Sequence, residues 1–382
     1  MMVMPLGPDF ARALAIPSSQ LGYIAGAYTA AAAVAGVATS LFLDRFGRRS
    51  ALTVAMLGLA LGTAAGAFAR GLPSLLAARV LAGLFGGPAT SLSFSIVADV
   101  VPAPRRGKAM GTVMGAFAIA SIAGVPAGLE LSQRGGWRLP FFAVAGAGLV
   151  VTALAATRLP PLVGHLAAHG GAGPPPFARL LRQPVVLLAW ATTALAMMGG
   201  FILIPNISAY VQHNLGYPRA RLDLLYLAGG VVSFFATRAA GRLVDRYGSF
   251  RVGSLGAAAL AVTVWVGFAA VRPDVPVIAV FVAFFLAMAL RNVAWRTMTN
   301  KVPAPAERAR FMSIDSSVSH LAAATGAFVS ARMLSERPDH GLDGLPWVAA
   351  VQIGLTALLP LLLWAVERRV AGTGDALLRR QR

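Results

Sequence analysis

The sequence predicts an all-α membrane protein built from two related six-helix bundles. Three observations lead there. Of 382 residues, 57% are hydrophobic and only 12% are charged, about half the ~25% charged residues of a soluble globular chain. The apolar residues run in stretches of about 20, the length that crosses a bilayer as a helix. Two landmarks also recur at one spacing. Ser40-Leu-Phe-Leu-Asp44-Arg45-Phe-Gly47 returns as Gly241-Arg-Leu-Val-Asp245-Arg246-Tyr-Gly248, and Val101-Pro-Ala-Pro104 returns as Val302-Pro-Ala-Pro305, both 201 residues on. Independent landmarks sharing one offset mark a parallel internal repeat, related by an axis along the membrane normal.

Complete spans are expected at 20–43, 50–69, 73–99, 108–131, 138–157, 184–210, 222–244, 252–271, 276–300, 311–333 and 346–366. Before them, Met1–Leu6 is apolar but too short to span, and reads as the tail of a first helix whose beginning is absent. No cleavable signal pattern precedes the first span, since the charges near the start are only Asp9 and Arg12. The expected organisation is a first bundle at 1–157, a linker at 158–183, a second bundle at 184–366 and a tail at 367–382. The linker carries Pro160-Pro161, Gly170-Gly171 and Pro174-Pro175-Pro176, a composition that stays extended and flexible. Its His165 and His169 have no carboxylate or third ligand nearby, so no metal is expected there.

Composition excludes several classes. The low charge content and high hydrophobicity exclude disorder. The chain has no cysteine, which removes disulfides, zinc thiolates, iron–sulfur clusters and thiol nucleophiles. The net charge of +19 does not point to nucleic acid, because the basic residues sit in short loops between apolar segments. Counted by alternate loops, twenty Lys/Arg residues fall in one set and nine in the other. The positive-inside rule puts the richer set, and the C-terminus, in the cytoplasm.

Charges inside spans cost even by low estimates ~3 kcal/mol each at the bilayer centre, so they tend to face a cavity. The middles of the spans at 50–69, 138–157, 252–271 and 346–366 carry none. The others are wetter. The span at 73–99 has Arg79 and a run of hydroxyls at Thr90, Ser91, Ser93 and Ser95. The span at 184–210 ends on Pro205, Asn206, Ser208 and Tyr210. Arg291, Asn292 and Arg296 follow at 276–300, and Asp315, Ser316, Ser319 and His320 at 311–333. Asn292 and Arg296, four apart, share a helical face. Asp315 is the best carboxylate for a proton relay, or else forms a structural ion pair with Arg291 or Arg296. Glu130 is a proton group or an interfacial acid. Arg79 contacts substrate or snorkels to the membrane surface. His320 titrates or makes a cavity hydrogen bond. Gly58, Gly62 and Gly66 form a small-residue seam, as do Gly111 and Gly115. Pro126 and Pro205 are expected to bend their helices.

The loops at Asp44 and Asp245 place an acid at a helix end beside arginines, with a turn through Gly47 or Gly248. Such a cluster can pair in one conformation and release in another, or serve as an ordinary topology anchor. Leu43-Asp44-Arg45-Phe46-Gly47-Arg48-Arg49 resembles the signature loop of the major facilitator superfamily, with Ser40 in place of that signature's first Gly. The second copy lacks the basic pair, having Ser249-Phe250. Arg79-Val-Leu-Ala-Gly83, Ala98-Asp99 and Arg106-Gly107 resemble the superfamily's fourth helix and its exit. Gly124-Val125-Pro126-Ala127-Gly128, with Gly136-Trp137-Arg138, resembles the fifth helix of bacterial drug- and sugar-efflux members, although Val125 separates the Gly-Pro pair of the antiporter signature.

The resemblance implies a secondary transporter in which two six-helix bundles rock about a midplane site. Asp44, Arg45, Gly47, Arg48, Arg49, Asp99, Asp245, Arg246 and Gly248 would form its conformational latch, and Gly124, Pro126 and Gly128 a hinge. It implies a first helix beginning upstream of Met1. It further implies proton-coupled efflux of a small or amphipathic solute by a monomer in a bacterial inner membrane, without cofactor. Organic-anion uptake or exchange along an arginine-lined cavity is the alternative, and a non-transporting member the next. No Gly-x-x-x-x-Gly-Lys-Ser/Thr loop is present to bind ATP. The serine and aspartate motifs of intramembrane proteases are absent too, so an enzyme is not expected.

Overall fold

The computed structural model describes residues 3–40, 46–102, 105, 109, 113, 120–162, 180–270, 275–303 and 307–380. For residues 40, 98, 99, 121, 309 and 371–380 it describes the backbone alone. The helices are α1 (Gly7–Ala13), α2 (Leu21–Ser40), α3 (Arg48–Ala67), α4 (Leu72–Val100), α5 (Val125–Gly135), α6 (Leu139–Arg158), α7 (Pro184–Phe201), α8 (Leu222–Tyr247), α9 (Ser249–Val264), α10 (Val277–Lys301), α11 (Arg308–Met333) and α12 (Leu345–Arg380). Ten of the expected spans coincide with α2 to α4 and α6 to α12; most of the span expected at 108–131 lies outside the described residues, and α5 overlaps only its end. Nine stretches among the described residues are long and apolar enough to cross a membrane. α11 falls outside that group because Arg308, Arg310, Asp315 and a run of serines dilute its apolar residues.

Three departures from the expected spans have local causes. After α7 the chain passes through a 3-10 turn at Ile204–Asn206 and a π turn at Tyr210–Asn214, so the span continues to Asn214. The interruption falls at Pro205, whose missing N–H cannot close a regular turn. α12 runs unbroken to Arg380, through the stretch expected as a tail. A two-residue antiparallel hairpin, β1 (Ser335–Glu336) with β2 (Leu342–Asp343), joins α11 to α12. No alternation in the sequence is long enough to announce it.

The 201-residue repeat extends into the backbone. Ala15 (φ 52°) and Gly216 (φ 64°) both take the left-handed conformation. A 3-10 turn follows each, at Ser18–Gln20 and Arg219–Arg221, and then α2 at Leu21 and α8 at Leu222. α3 and α9 begin at Arg48 and Ser249, again 201 apart. Identical irregularities at identical places show that the two halves are copies of one helical plan.

Small residues set the helix spacing. The expected seam on α3 is present. Gly58 lies against Phe85 and Gly62 against the backbone of Ala82, both on α4, while Gly66 lies against Phe141 on α6. Gly111 and Gly115 lie outside the described residues. The halves meet along antiparallel α2 and α11, from Gly22 against Ala327 at one end to Gly36 opposite the Ser317 hydroxyl toward the other. The largest apolar cluster lies at the end of the molecule that carries the hairpin and mixes both halves, with Leu6, Phe10 and Trp137 from the first and Leu203, Tyr210 and Phe268 from the second.

Candidate functional site

The candidate site is built by α7, α10 and α11. Thr193, fully buried on α7, donates a 2.6 Å hydrogen bond to Asp315 Oδ1 on α11. Asp315 is itself 8% exposed. Arg296 on α10 is near enough for its charge to interact with Asp315, although no ion pair within 4 Å joins them. Its guanidinium stacks over Trp295 at 4.7 Å. The site therefore holds a shielded carboxylate with one firm donor and a cation nearby. A carboxylate so placed can exchange a proton without first breaking a direct ion pair. His320, a little over one turn beyond Asp315 on α11, is half-buried, with no hydrogen-bond partner among the described residues.

Arg291 is placed differently. It is 1% exposed, and its Nη2 donates to Ala196 O at 3.1 Å, to Asn292 Oδ1 at 3.2 Å and to Met288 Sδ at 3.2 Å. Its Nε has no partner among the described residues. Gly199 of α7 faces this guanidinium together with Leu355 and Thr356 of α12. Arg291 thus sits where α7, α10 and α12 meet, within the second half. Asn292 Oδ1 also accepts from Trp295 Nε1 at 3.1 Å, so it braces Arg291 and Trp295 together.

The remaining expected pathway residues are dispersed. Arg79 on α4 stacks on Tyr28 of α2 at 4.5 Å. Asn206 is 1% exposed and donates to Ser330 Oγ at 3.0 Å, tying α11 to the turn after α7. Tyr210 is buried, donates to Gly267 O and stacks on Phe268 at 4.8 Å. Glu130 accepts from Arg134 Nε at 2.7 Å in an exposed i,i+4 pair.

The two loops expected to form the latch differ. Asp44 and Arg45 lie outside the described residues, as does the side chain of Asp99. In the first copy Gly47 precedes α3, Arg48 N donates to Leu162 O at 3.0 Å, and Arg49 Nη1 donates to Leu159 O at 3.1 Å. The basic pair therefore holds the segment that leaves α6. The second copy, without that pair, leaves Asp245 and Arg246 exposed at the end of α8. Gly248 turns the chain there at φ 86°, a conformation that favours glycine. The expected hinge in α5 is a π turn at Ala120–Gly124, directly before Pro126 at the second position of the helix; Gly128 behind it is buried. A proline there withholds an N–H from the preceding turn, which widens.

Thr193 is not among the residues the sequence singled out. Its available signal is the polar pair Thr192-Thr193 inside an otherwise apolar span. A second polar cluster, at the hairpin end, also escaped notice. Asp9 of α1 accepts from Arg219 Nε at 2.7 Å and Nη2 at 2.5 Å, and from Ser132 Oγ of α5 at 2.9 Å. Glu336 of β1 accepts from the backbone N–H of Ser18 at 2.5 Å. Both acids tie one half to the other.

Comparison with known proteins agrees with this architecture. The profile of the Major Facilitator Superfamily matches residues 1–327 and 189–380. The chain is 29% identical over 247 residues to a chloramphenicol resistance protein of Streptomyces lividans, covering 64% of this chain and 62% of that one. It is 30% identical over 247 residues to the inner membrane transport protein YdhP of Escherichia coli (strain K12), covering 64% and 61%. Those two matches span about three-fifths of each relative's length. To the purine ribonucleoside efflux pump NepI of Shigella sonnei it is 27% identical over 347 residues, covering 88% and 84%. Among solved structures, a D-xylose-proton symporter superposes with a TM-score of 0.72 at 18% identity, covering 95% of this chain and 92% of that one. An inward-facing, occupied bacterial homologue of the lysosomal transporter Spinster gives 0.70 at 18%, covering 96% and 92%. With the duplicated loop, the repeated backbone and a profile match across most of its length, the chain belongs to the Major Facilitator Superfamily of multi-pass membrane transporters.

Proposed function

We propose that this protein is a secondary active transporter that exports a small or amphipathic solute in exchange for protons, with Asp315 as the proton-carrying group. The observation that carries the reading is the carboxylate of Asp315, buried between helices on the Thr193 hydroxyl, with Arg296 within electrostatic reach. A membrane-buried acid without a direct ion pair suits reversible protonation better than fixed structure. The efflux named in the relatives' descriptions supports the direction. Bundles at 1–157 and 184–366 would rock as units along α2 and α11, with the arginine-rich loops and the C-terminus in the cytoplasm. The loops around Asp44 and Asp245, with Asp99, would latch the cytoplasmic end. The protein would work as a monomer.

The test is flux in proteoliposomes under an imposed pH gradient, with chloramphenicol, purine nucleosides, sugars and organic anions as probes. The expected result is gradient-dependent movement of a neutral or amphipathic probe that disappears in Asp315→Asn. Movement that ignores the gradient would overturn the coupling. Organic-anion exchange is the second reading, favoured by the guanidinium of Arg296, which no carboxylate among the described residues pairs directly although Asp315 lies within electrostatic reach. Competition by organic anions that survives Asp315→Asn and fails in Arg296→Gln would select it. Arg291 lends that reading little, since it faces α7 and α12.

A further inference from the structure

The end of the molecule opposite the latch loops holds a titratable cluster that the mechanism above does not use. Glu336, 17% exposed, divides its carboxylate between the halves. One oxygen accepts from the Ser18 N–H, at the turn leading into α2 of the first half. The other lies 2.6 Å from His340 Nδ1, in the hairpin turn of the second half. That turn is firmly built. His340 N donates to Arg337 O at 2.9 Å, Arg337 N donates to Gly341 O at 2.8 Å, and His340 itself sits at φ 65°. Asn214 then pins the hairpin to the end of the α7 span, exchanging hydrogen bonds with both the N–H and the carbonyl of Leu342 at 2.9 Å. The hairpin therefore moves with the second half, and the Glu336–Ser18 bond crosses to the first.

We propose that the Glu336–His340 pair is a proton-binding site that sets the strength of the clamp between the two halves at the hairpin end. A proton on the His340 imidazole turns its contact with Glu336 into an ion pair, which holds the carboxylate aimed at the Ser18 N–H. Loss of that proton removes the ion pair and loosens the crossing bond. The surrounding charges are mixed. His213, whose ring centroid lies 6.0 Å from that of His340, and Arg12 face the pair with positive or titratable groups. Asp339 faces it with a negative one. The Gly341 N–H, with Arg337 beside it, holds the Asp339 carboxylate below the usual range, so it stays charged while histidines titrate. Asp9 with Arg219 forms a neighbouring crossing pair that has no histidine. Acid on this side thus tightens the clamp.

The site rests on the alternating-access reading above, but its test needs no substrate and no transport. The chain has no native cysteine, so Gln133→Cys and Ala220→Cys, both at exposed positions of the hairpin end, can carry spin labels in nanodiscs. Distances between them are read from about pH 5.5 to about pH 7.5, a window in which histidine side chains titrate. The expected result is a closed population that falls about two- to fivefold as pH rises, in line with a partly exposed ion pair. His340→Asn, a residue that tolerates the left-handed turn, should flatten the response. Glu336→Gln should lower the closed population across the whole window. Distances that move in the wild type but ignore both pH and His340→Asn would overturn the site and leave the rocking motion standing. A response abolished by His213→Gln instead would overturn it as well. A single fixed distance under every condition would sink both the site and the alternating-access reading.

Discussion

The two halves share a backbone and divide the chemistry. At the 201-residue offset, Thr90 and Ser95 of α4 occupy the places of Arg291 and Arg296 of α10. The first-half residues satisfy themselves. Thr90 donates to Gly86 O and Ser95 to Ser91 O, each one turn back along its own helix. Their second-half counterparts reach outward, Arg291 to α7 and Arg296 toward α11. A hydroxyl inside a membrane helix needs nothing from its neighbours, whereas a guanidinium must find acceptors on another helix. The two halves thus share a scaffold and differ in where buried charge is placed.

Substitutions at six positions sharpen or break this contrast, from the largest effect to the smallest. Asp315→Asn should abolish gradient-driven transport in proteoliposomes while the purified protein keeps its melting temperature. Thr193→Val should cost about 1.5–3 kcal/mol of stability, the loss of a hydrogen bond to a charged group, and Thr193→Ser should restore it, read by thermal melts in detergent. Gly248→Ala should cost about 1–2 kcal/mol, because φ 86° disfavours a Cβ, and the new Cβ would lie 3.3 Å from Glu367 Oε1. Gly47→Ala, at φ −59°, should melt like the wild type, so the two copies of the loop separate by that amount. Arg291→Met should change stability by less than about 1 kcal/mol, since apolar residues often replace buried charge without loss, and should leave substrate KM unchanged. Glu130→Gln should move stability by no more than about 0.5 kcal/mol, as for other exposed i,i+4 pairs, and should leave the pH profile of transport unmoved.

The fold was legible because its determinants are local. Apolar length placed most spans to within a few residues, though α12 runs well past the expected end and most of 108–131 lies outside the described residues, and the repeated Asp-Arg-x-Gly loops marked the duplication, which the backbone then extended to Ala15 and Gly216. The site was legible only in part. Asp315 and Arg296 stand out as charges in apolar runs. Thr193 and Asp315, however, are 122 residues apart, Asp9 and Arg219 are 210 apart, and Ser18 and Glu336 are 318 apart. No periodicity links such pairs; only the packing of helix on helix does, within the second half for Thr193 and Asp315 and between the halves for the other two. Asn206 and Tyr210 looked like cavity groups because polar atoms in a span suggest water, yet in the structure the Asn206 Nδ2 donates to Ser330 and the Tyr210 hydroxyl to Gly267. Glu130 carried a readable signal, since Arg134 four residues on marks a surface pair.

The central claim is that Asp315 carries the proton exchanged for substrate. The most direct measurement is proton flux, read by a pH-sensitive dye trapped in proteoliposomes, on adding a transported substrate without any imposed gradient. Wild-type protein should move protons against substrate, while Asp315→Asn should move none yet still exchange labelled for unlabelled substrate. Substrate-driven proton flux persisting at the wild-type rate in Asp315→Asn would contradict the account.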